Sequence, residues 1–249
     1  MAAYSDFAAL YDLLMDDVDY DNWAAYYLRL LEGAGVRPSR LCDCACGTGA
    51  MAVRFAKRGM NVIGADISGE MLERAQERAR KAGVRVMFVE QDMCELTLPR
   101  PVDAVVCACD GVNYLLDDGR LNAFFARAFR AIRPGGALAF DISSAWKLKN
   151  VLGNGFFGEE RDEAAYLWSN RYDEAADTVT MDLTFFARQR GDLYRRFNEV
   201  HVQKAHDADH LAGLLEQNGF THIGIFGDKT FDPPKPDEQR IHFIATRAE

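Results

Sequence analysis

Leu41-Cys42-Asp43-Cys44-Ala45-Cys46-Gly47-Thr48-Gly49 reads as a short apolar strand, Leu41 to Cys44, running into a loop of small residues. Thr48 to Arg58 has helical periodicity, so the loop opens a helix N-terminus. Small residues there let a ligand lie against backbone N–H groups that a larger side chain would screen.

Working outward, the strand-helix alternation continues. Asn61 to Ala65 is the next strand, and Ser68 caps a helix with Glu70 in its first turn, Met71, Leu72, Ala75 and Ala79 inward and Gly83 at its end. Strands follow at Val84 to Val89 and Val102 to Cys107, then a helix from about Arg120 to Ile132 stopped by Pro134-Gly135-Gly136, then the strand Ala137 to Asp141. That rhythm predicts an α/β fold with a parallel sheet covered by helices on both faces. Residues 164 to 204 break it: Val179, Met181, Leu183 and Phe185 alternate with polar residues, and Gly191-Asp192 offers a turn, so an inserted antiparallel sheet is expected within 155–205. Residues 206–249 supply a helix starting at Asp207 or Asp209 and two last strands, Thr221 to Phe226 and Arg240 to Thr246, and the chain reads as a single domain. At the start, Phe7, Leu10, Tyr11, Leu14 and Met15, then Tyr20, Trp23, Ala24, Tyr27, Leu28 and Leu31, predict two amphipathic helices within residues 1–35, ahead of the core at 40–145.

The 249 residues are 49% hydrophobic, ample for a packed core, and no apolar run approaches the roughly 18 residues needed to span a bilayer. The start is acidic, the reverse of a signal peptide, so a cytoplasmic protein is expected. A net charge of −9 disfavours nucleic acid and makes a small molecule the default partner. Cys42, Cys44, Cys46, Cys94, Cys107 and Cys109 lack paired C-x-x-C spacing and read as apolar fillers, with no metal expected.

The chemistry of the loop has two readings. Gly47-x-Gly49-x-x-Ala52 with Asp66 about 20 residues on fits a dinucleotide fingerprint, whose acid binds ribose hydroxyls, and that reading predicts a nicotinamide oxidoreductase. A protein that binds a nucleotide cofactor without turning it over is a further alternative. The segment after the third strand favours another cofactor. There Gln91-Asp92-Met93 offers an amide, a carboxylate and a thioether for adenine, with the acid or a neighbouring backbone group reading the exocyclic amine.

With Asp43, the Pro134-Gly135-Gly136 turn and the closing strand pair, the sequence resembles the class I S-adenosylmethionine-dependent methyltransferases from Leu41 onward. Cys42 to Gly49 is similar to the family's first motif, with Ala45 where glycine is usual; Asp66 matches the ribose-binding acid, and Asp92 and Met93 the adenine-contacting pair. The resemblance implies a Rossmann-like seven-stranded sheet in the order 3-2-1-4-5-7-6, with strand 7 antiparallel. It implies S-adenosyl-L-methionine as cofactor, S-adenosyl-L-homocysteine as product, and Asp43, Ala45, Cys46, Gly47, Gly49, Asp66, Ile67, Met71, Gln91, Asp92, Met93 and Cys109 around the cofactor. Tyr11-Asp12, Tyr20, Trp23, the run Asp110 to Leu115 and Glu199-Val200-His201 narrow the likeness to bacterial small-molecule methyltransferases related to the amino-sugar N,N-dimethyltransferases. This implies an N-terminal helical lid placing Tyr11, Tyr20 and Trp23 over the cofactor, and an insertion roofing the substrate. Core packing is the alternative for those aromatics.

The expected reaction is in-line methyl transfer to nitrogen or oxygen of a small-molecule acceptor. Asp110, Asn113 and Tyr114, just past the fourth strand, occupy the edge where α/β sheets bind ligands and are the catalytic candidates, with His201 from the insertion. Arg195, Phe197, Glu199, His201 and Gln203 share one strand face. A homodimer is a possible assembly.

Overall fold

The computed structural model describes residues 18 to 249. Tyr11 and the first expected helix lie outside them. The elements in chain order are α1 (Tyr20–Gly33), β1 (Arg40–Cys44), α2 (Ala50–Lys57), β2 (Asn61–Asp66), α3 (Gly69–Lys81), β3 (Val86–Glu90), β4 (Val102–Cys107), α4 (Asp118–Ala131) and β5 (Ile132–Ser143). After a wide helical turn at Lys147–Leu152 come β6 (Phe156–Glu160), β7 (Ala164–Asp173), β8 (Thr178–Arg188), β9 (Tyr194–Lys204), α5 (Ala208–Gln217), β10 (Phe220–Phe226) and β11 (Arg240–Arg247).

The main sheet runs β3-β2-β1-β4-β5-β11-β10, and β11 is antiparallel to both neighbours, as the family resemblance implies for the seventh strand. Alternation along each strand feeds two cores. Cys42, Cys44, Val105, Cys107, Leu138 and Phe140 face α4 and α5, while Leu41, Ala104, Val106, Ala137 and Ala139 face α1 and α2. The three buried cysteines therefore fill core positions, and all six are free thiols. Helix starts are capped as their sequences suggest: Ser68 Oγ accepts the Met71 N–H at 3.2 Å and Asp207 that of His210 at 2.8 Å. Among the described residues no helix is long and apolar enough to cross a membrane.

Two expectations are corrected. Pro134-Gly135-Gly136 does not separate a helix from a strand. β5 starts at Ile132 and pairs with β4 on both sides of that triplet, Val102 with Ile132 and Ala104 with Ala137, so the extra residues bulge out of a continuous strand. The second helix, α1, is not a free lid: Tyr26, Tyr27, Leu30 and Leu31 are buried in the core it shares with α2 and the sheet.

The insertion is a four-stranded antiparallel sheet, β6-β7-β8-β9. One of its faces carries Phe157, Tyr166, Trp168, Met181, Leu183, Phe185 and Phe197 in paired rungs. The end of β9 is tied to the loop after β4: Asn113 Nδ2 donates to the Lys204 carbonyl at 2.9 Å, and Gln203 Nε2 donates to Asp110 Oδ2 at 2.7 Å. The insertion therefore stands over the carboxyl edge of the main sheet, where open α/β folds bind ligands.

Candidate active site

The first loop is built from backbone. Ala45, Gly47 and Gly49 have φ of +54°, +52° and +75°. Left-handed alanine costs about 1–2 kcal/mol, so Ala45 holds this conformation against that strain. At Gly49 a Cβ would lie 2.8 Å from Ala75 Cβ, so helix α3 leaves no room for a side chain. At Gly47 an added Cβ would meet nothing within 4 Å, which leaves the loop backbone open on that side. Asp66 closes the opposite side, its Oδ2 accepting the Gly47 N–H at 2.7 Å and its Oδ1 that of Ser68 at 2.9 Å. Burial raises the Asp66 carboxyl, and the Ser68 and Gly47 N–H groups work against the rise. Ile67 beside it is 67% exposed, a large apolar side chain at the mouth of the loop. Below the loop, Asp43 is buried, and its Oδ2 has no hydrogen-bond partner among the described residues. Burial pushes its carboxyl up to about 8, with the Ala52 N–H opposing.

The third loop corrects two side-chain roles. Gln91 uses both ends of its amide on Thr97, donating to the carbonyl at 3.2 Å and accepting the N–H at 3.0 Å. Asp92 accepts the Cys94 N–H at 2.8 Å and is ion-paired with Arg120 at 2.8 Å. Both side chains fix the loop, and Met93 beside them is partly buried against the core. Met71 is buried on the inner side of α3.

The loop after β4 is the most constrained part of the site. Cys109 and Asp110 are consecutive non-glycine residues with φ of +62° and +55°. Both N–H groups donate to Asp141 on β5, to Oδ1 at 2.8 Å and Oδ2 at 3.0 Å. Asp141 is fully buried, and its carboxylate also accepts the Tyr27 hydroxyl at 2.6 Å and the Arg240 guanidinium. Arg240 in turn pairs with Asp110 at 2.8 Å. Burial alone would raise the Asp110 carboxyl, but Arg240 and Lys147 hold it below the usual range. Burial and Arg240 together lower the Lys147 amine, whose Nζ lies 3.3 Å from Ser143 Oγ.

Among the four catalytic candidates, Tyr114 and His201 are brought together from distant positions, with Tyr114 Oη 3.2 Å from His201 Nδ1. Burial lowers the His201 imidazole, so it is neutral at pH 7. Asp110 is held in its ion pair. Asn113 is corrected to a structural tie: it is fully buried, donates to the Ser143 and Lys204 carbonyls and accepts the Ser143 N–H, leaving no amide group for a substrate. Trp23 is likewise a core residue, 5.8 Å from the His242 ring, with Arg240 and Lys229 at 5.0 and 5.1 Å from its centroid. The Tyr20 ring lies 5.4 Å from the Arg54 guanidinium. Sequence reasoning misses Asp141, Arg240 and Lys147. A lone acid ending an apolar strand is a usable signal for Asp141; Arg240 and Lys147 carry none.

A parallel sheet with a reversed last strand, a left-handed loop over an acid at the end of β2 and a buried acid below that loop together define a nucleotide-cofactor α/β enzyme. Likeness to known proteins narrows the class. A methyltransferase-domain family model matches residues 41–136. A protein of Geobacillus sp. (strain WCH70), provisionally named a methyltransferase, is 34% identical over 98% of this chain and 99% of its own. The crystal structure of an S-adenosylmethionine-dependent methyltransferase from Clostridium acetobutylicum ATCC 824 superposes with a TM-score of 0.89 at 29% identity, covering 99% of both chains. A sugar N-methyltransferase from Streptoalloteichus sp ATCC 53650 shares the fold, with a TM-score of 0.77 at 21% identity over 96% of this chain and 93% of that one. The chain belongs to the S-adenosylmethionine-dependent methyltransferases, and its cofactor is S-adenosyl-L-methionine. The open backbone at Gly47 and the Asp66 carboxylate suit a ligand carrying ribose hydroxyls.

Two outcomes are expected at this site. Asp66→Ala removes an acceptor for ribose hydroxyls; with charge-assisted hydrogen bonds worth about 1.5–3 kcal/mol each, calorimetric titration should show S-adenosylhomocysteine bound at least ~10-fold more weakly. Unchanged affinity in the folded variant would remove Asp66 from the cofactor site. Asp43 has a folded pKa of about 8 against an unfolded value near 3.9, so the folded state holds the proton more tightly and stability falls as pH rises between those values. Melting temperatures of wild type and Asp43→Asn should accordingly diverge in favour of the variant from pH 5 to pH 8, and parallel curves would show that burial does not perturb this acid.

Proposed function

We propose that the protein transfers a methyl group to nitrogen or oxygen of a small molecule held between the carboxyl edge of the main sheet and the inward face of the antiparallel sheet. The observation that carries this reading is the Tyr114–His201 contact, which links the loop after β4 to the overhanging sheet across 87 residues of sequence. A roofed site of this kind suits a small acceptor better than a polymer, and the net charge of −9 disfavours nucleic acid. The Streptoalloteichus relative in fold is a sugar N-methyltransferase, which agrees with a small acceptor. The six free thiols support a reducing cytoplasmic setting.

Bound S-adenosylmethionine supplies an electrophilic methyl group on a sulfonium whose departure leaves a neutral thioether. The remaining work of the chain is to bind, orient and keep water out. In this reading Gly47, Asp66 and Ile67 hold the nucleoside end. Asp110, fixed between Arg240 and Gln203, stays ionised and is a poor base. Neutral His201 can take up a proton at a ring nitrogen, directly or through the Tyr114 hydroxyl.

Incubation with methyl-labelled S-adenosylmethionine and a whole-cell extract, followed by mass spectrometry of the small-metabolite and macromolecular fractions, tests the reading. The label should appear in a low-molecular-mass product. His201→Ala should cut its formation by roughly 10-fold or more with S-adenosylhomocysteine affinity unchanged. Label confined to protein or nucleic acid would contradict the proposal.

A further inference from the structure

The inward face of the antiparallel sheet holds polar atoms that the fold does not satisfy. Glu199 on β9 is only 6% exposed, yet among the described residues its Oε1 has no hydrogen-bond partner and no cation forms an ion pair with it. Its rung-mates are Leu183 on β8 and, beyond that, Trp168 on β7. Along β9 it lies between Phe197, stacked 5.2 Å from Phe185, and His201, the residue that touches Tyr114. Two more buried atoms on the same face are without partners among the described residues: Trp168 Nε1 on the Glu199 rung and Asn170 Oδ1 on the His201 rung.

Buried polar atoms in folded proteins are nearly always paired, and an unpaired carboxylate among apolar and aromatic side chains is among the costliest exceptions. Here three such atoms share one face of the sheet: Trp168 and Asn170 pack by the Lys147–Leu152 turn, and Glu199 lies on β9, whose end is tied to the loop after β4. The arrangement fits a site whose missing partner is a ligand. An ionised carboxylate can only accept hydrogen bonds, and a cationic donor compensates its buried charge far better than a neutral hydroxyl. Aromatic walls add attraction for a cation. The burial that raises the Glu199 carboxyl is the same apolar setting.

We infer that Glu199 is an acceptor-binding, specificity-determining residue that receives an amine of the methyl acceptor. This rests on the small-molecule reading above, and it narrows nitrogen or oxygen to nitrogen.

The test uses the whole protein with methyl-labelled S-adenosylmethionine and a small-metabolite extract, then the unlabelled parent of the labelled product, purified, as the probe for kinetics. The label should sit on nitrogen. Glu199→Gln, which keeps shape and removes charge, should raise KM for that parent compound at least 10-fold, with kcat less affected and S-adenosylhomocysteine affinity within twofold of wild type. Its melting temperature should equal or exceed wild type, because an uncompensated buried charge is gone; a merely structural carboxylate would show a lower melting temperature and an unchanged KM. If Glu199→Gln does not fold, Glu199→Asp, which withdraws the carboxylate by one methylene, should show the same rise in KM. Label on oxygen, or unchanged KM in the folded variant, overturns the assignment while leaving the small-molecule reading intact. Label found solely in macromolecules overturns that reading and the assignment with it.

Discussion

A single buried carboxylate holds together the parts of this molecule that must meet for chemistry. Asp141, at the end of β5, accepts hydrogen bonds from two consecutive backbone N–H groups after β4, from the Tyr27 hydroxyl on α1 and from Arg240 at the start of β11. The partners come from 32, 31, 114 and 99 residues away in sequence. Two left-handed non-glycine residues in succession are strained, and N–H bonds to a carboxylate are the interaction strong enough to hold them there. Once Cys109 and Asp110 are fixed, Asp110 can meet Arg240 and Gln203, and Gln203 places β9 over the site. Asn113 and Tyr114 on the same loop add their own ties to Lys204 and His201, so the roof is referenced to the main sheet through the loop that Asp141 holds.

Around that hub the polar groups divide into two kinds. Those of the frame are fully used: Asn113, Gln91 and Asp92 all bond to backbone or to arginine. Others are left short among the described residues, such as Asp43 under the glycine loop and Glu199 in the overhanging sheet. Unmet hydrogen-bonding capacity reduces stability, and His206 Nε2 and His242 Nδ1 carry it as well, so it marks a ligand contact only where a site stands beside it.

The sheet and the cofactor loop are legible in the sequence because local chemistry specifies them. Period-two and period-3.6 patterns, the Ser68 and Asp207 caps and the Gly47-x-Gly49 loop each concern residues a few positions apart. The strand through Pro134-Gly135-Gly136 reads as a turn because a bulge and a turn share the same residue types. Position at the carboxyl edge points to Asn113, Gln91 and Asp92 as ligand contacts, but each of these side chains is taken by a partner that no local pattern announces. Trp23 is ambiguous for a related reason: helical spacing shows that a face is apolar and not what covers it. Asp141, Arg240 and Lys147 become visible only when distant segments are brought together.

If Asp141 sets the geometry of the loop after β4, neutralising it without changing its shape should release that loop first. Hydrogen exchange of Asp141→Asn, followed by NMR at the Cys109 and Asp110 amides, measures this directly. Losing charge-assisted bonds of about 1.5–3 kcal/mol each should speed exchange at both amides by roughly 10-fold or more, while amides in the middle of β1 and β2 are less affected. Exchange at Cys109 and Asp110 as slow as in wild type would contradict the account, because the left-handed pair would then be held by something other than this carboxylate.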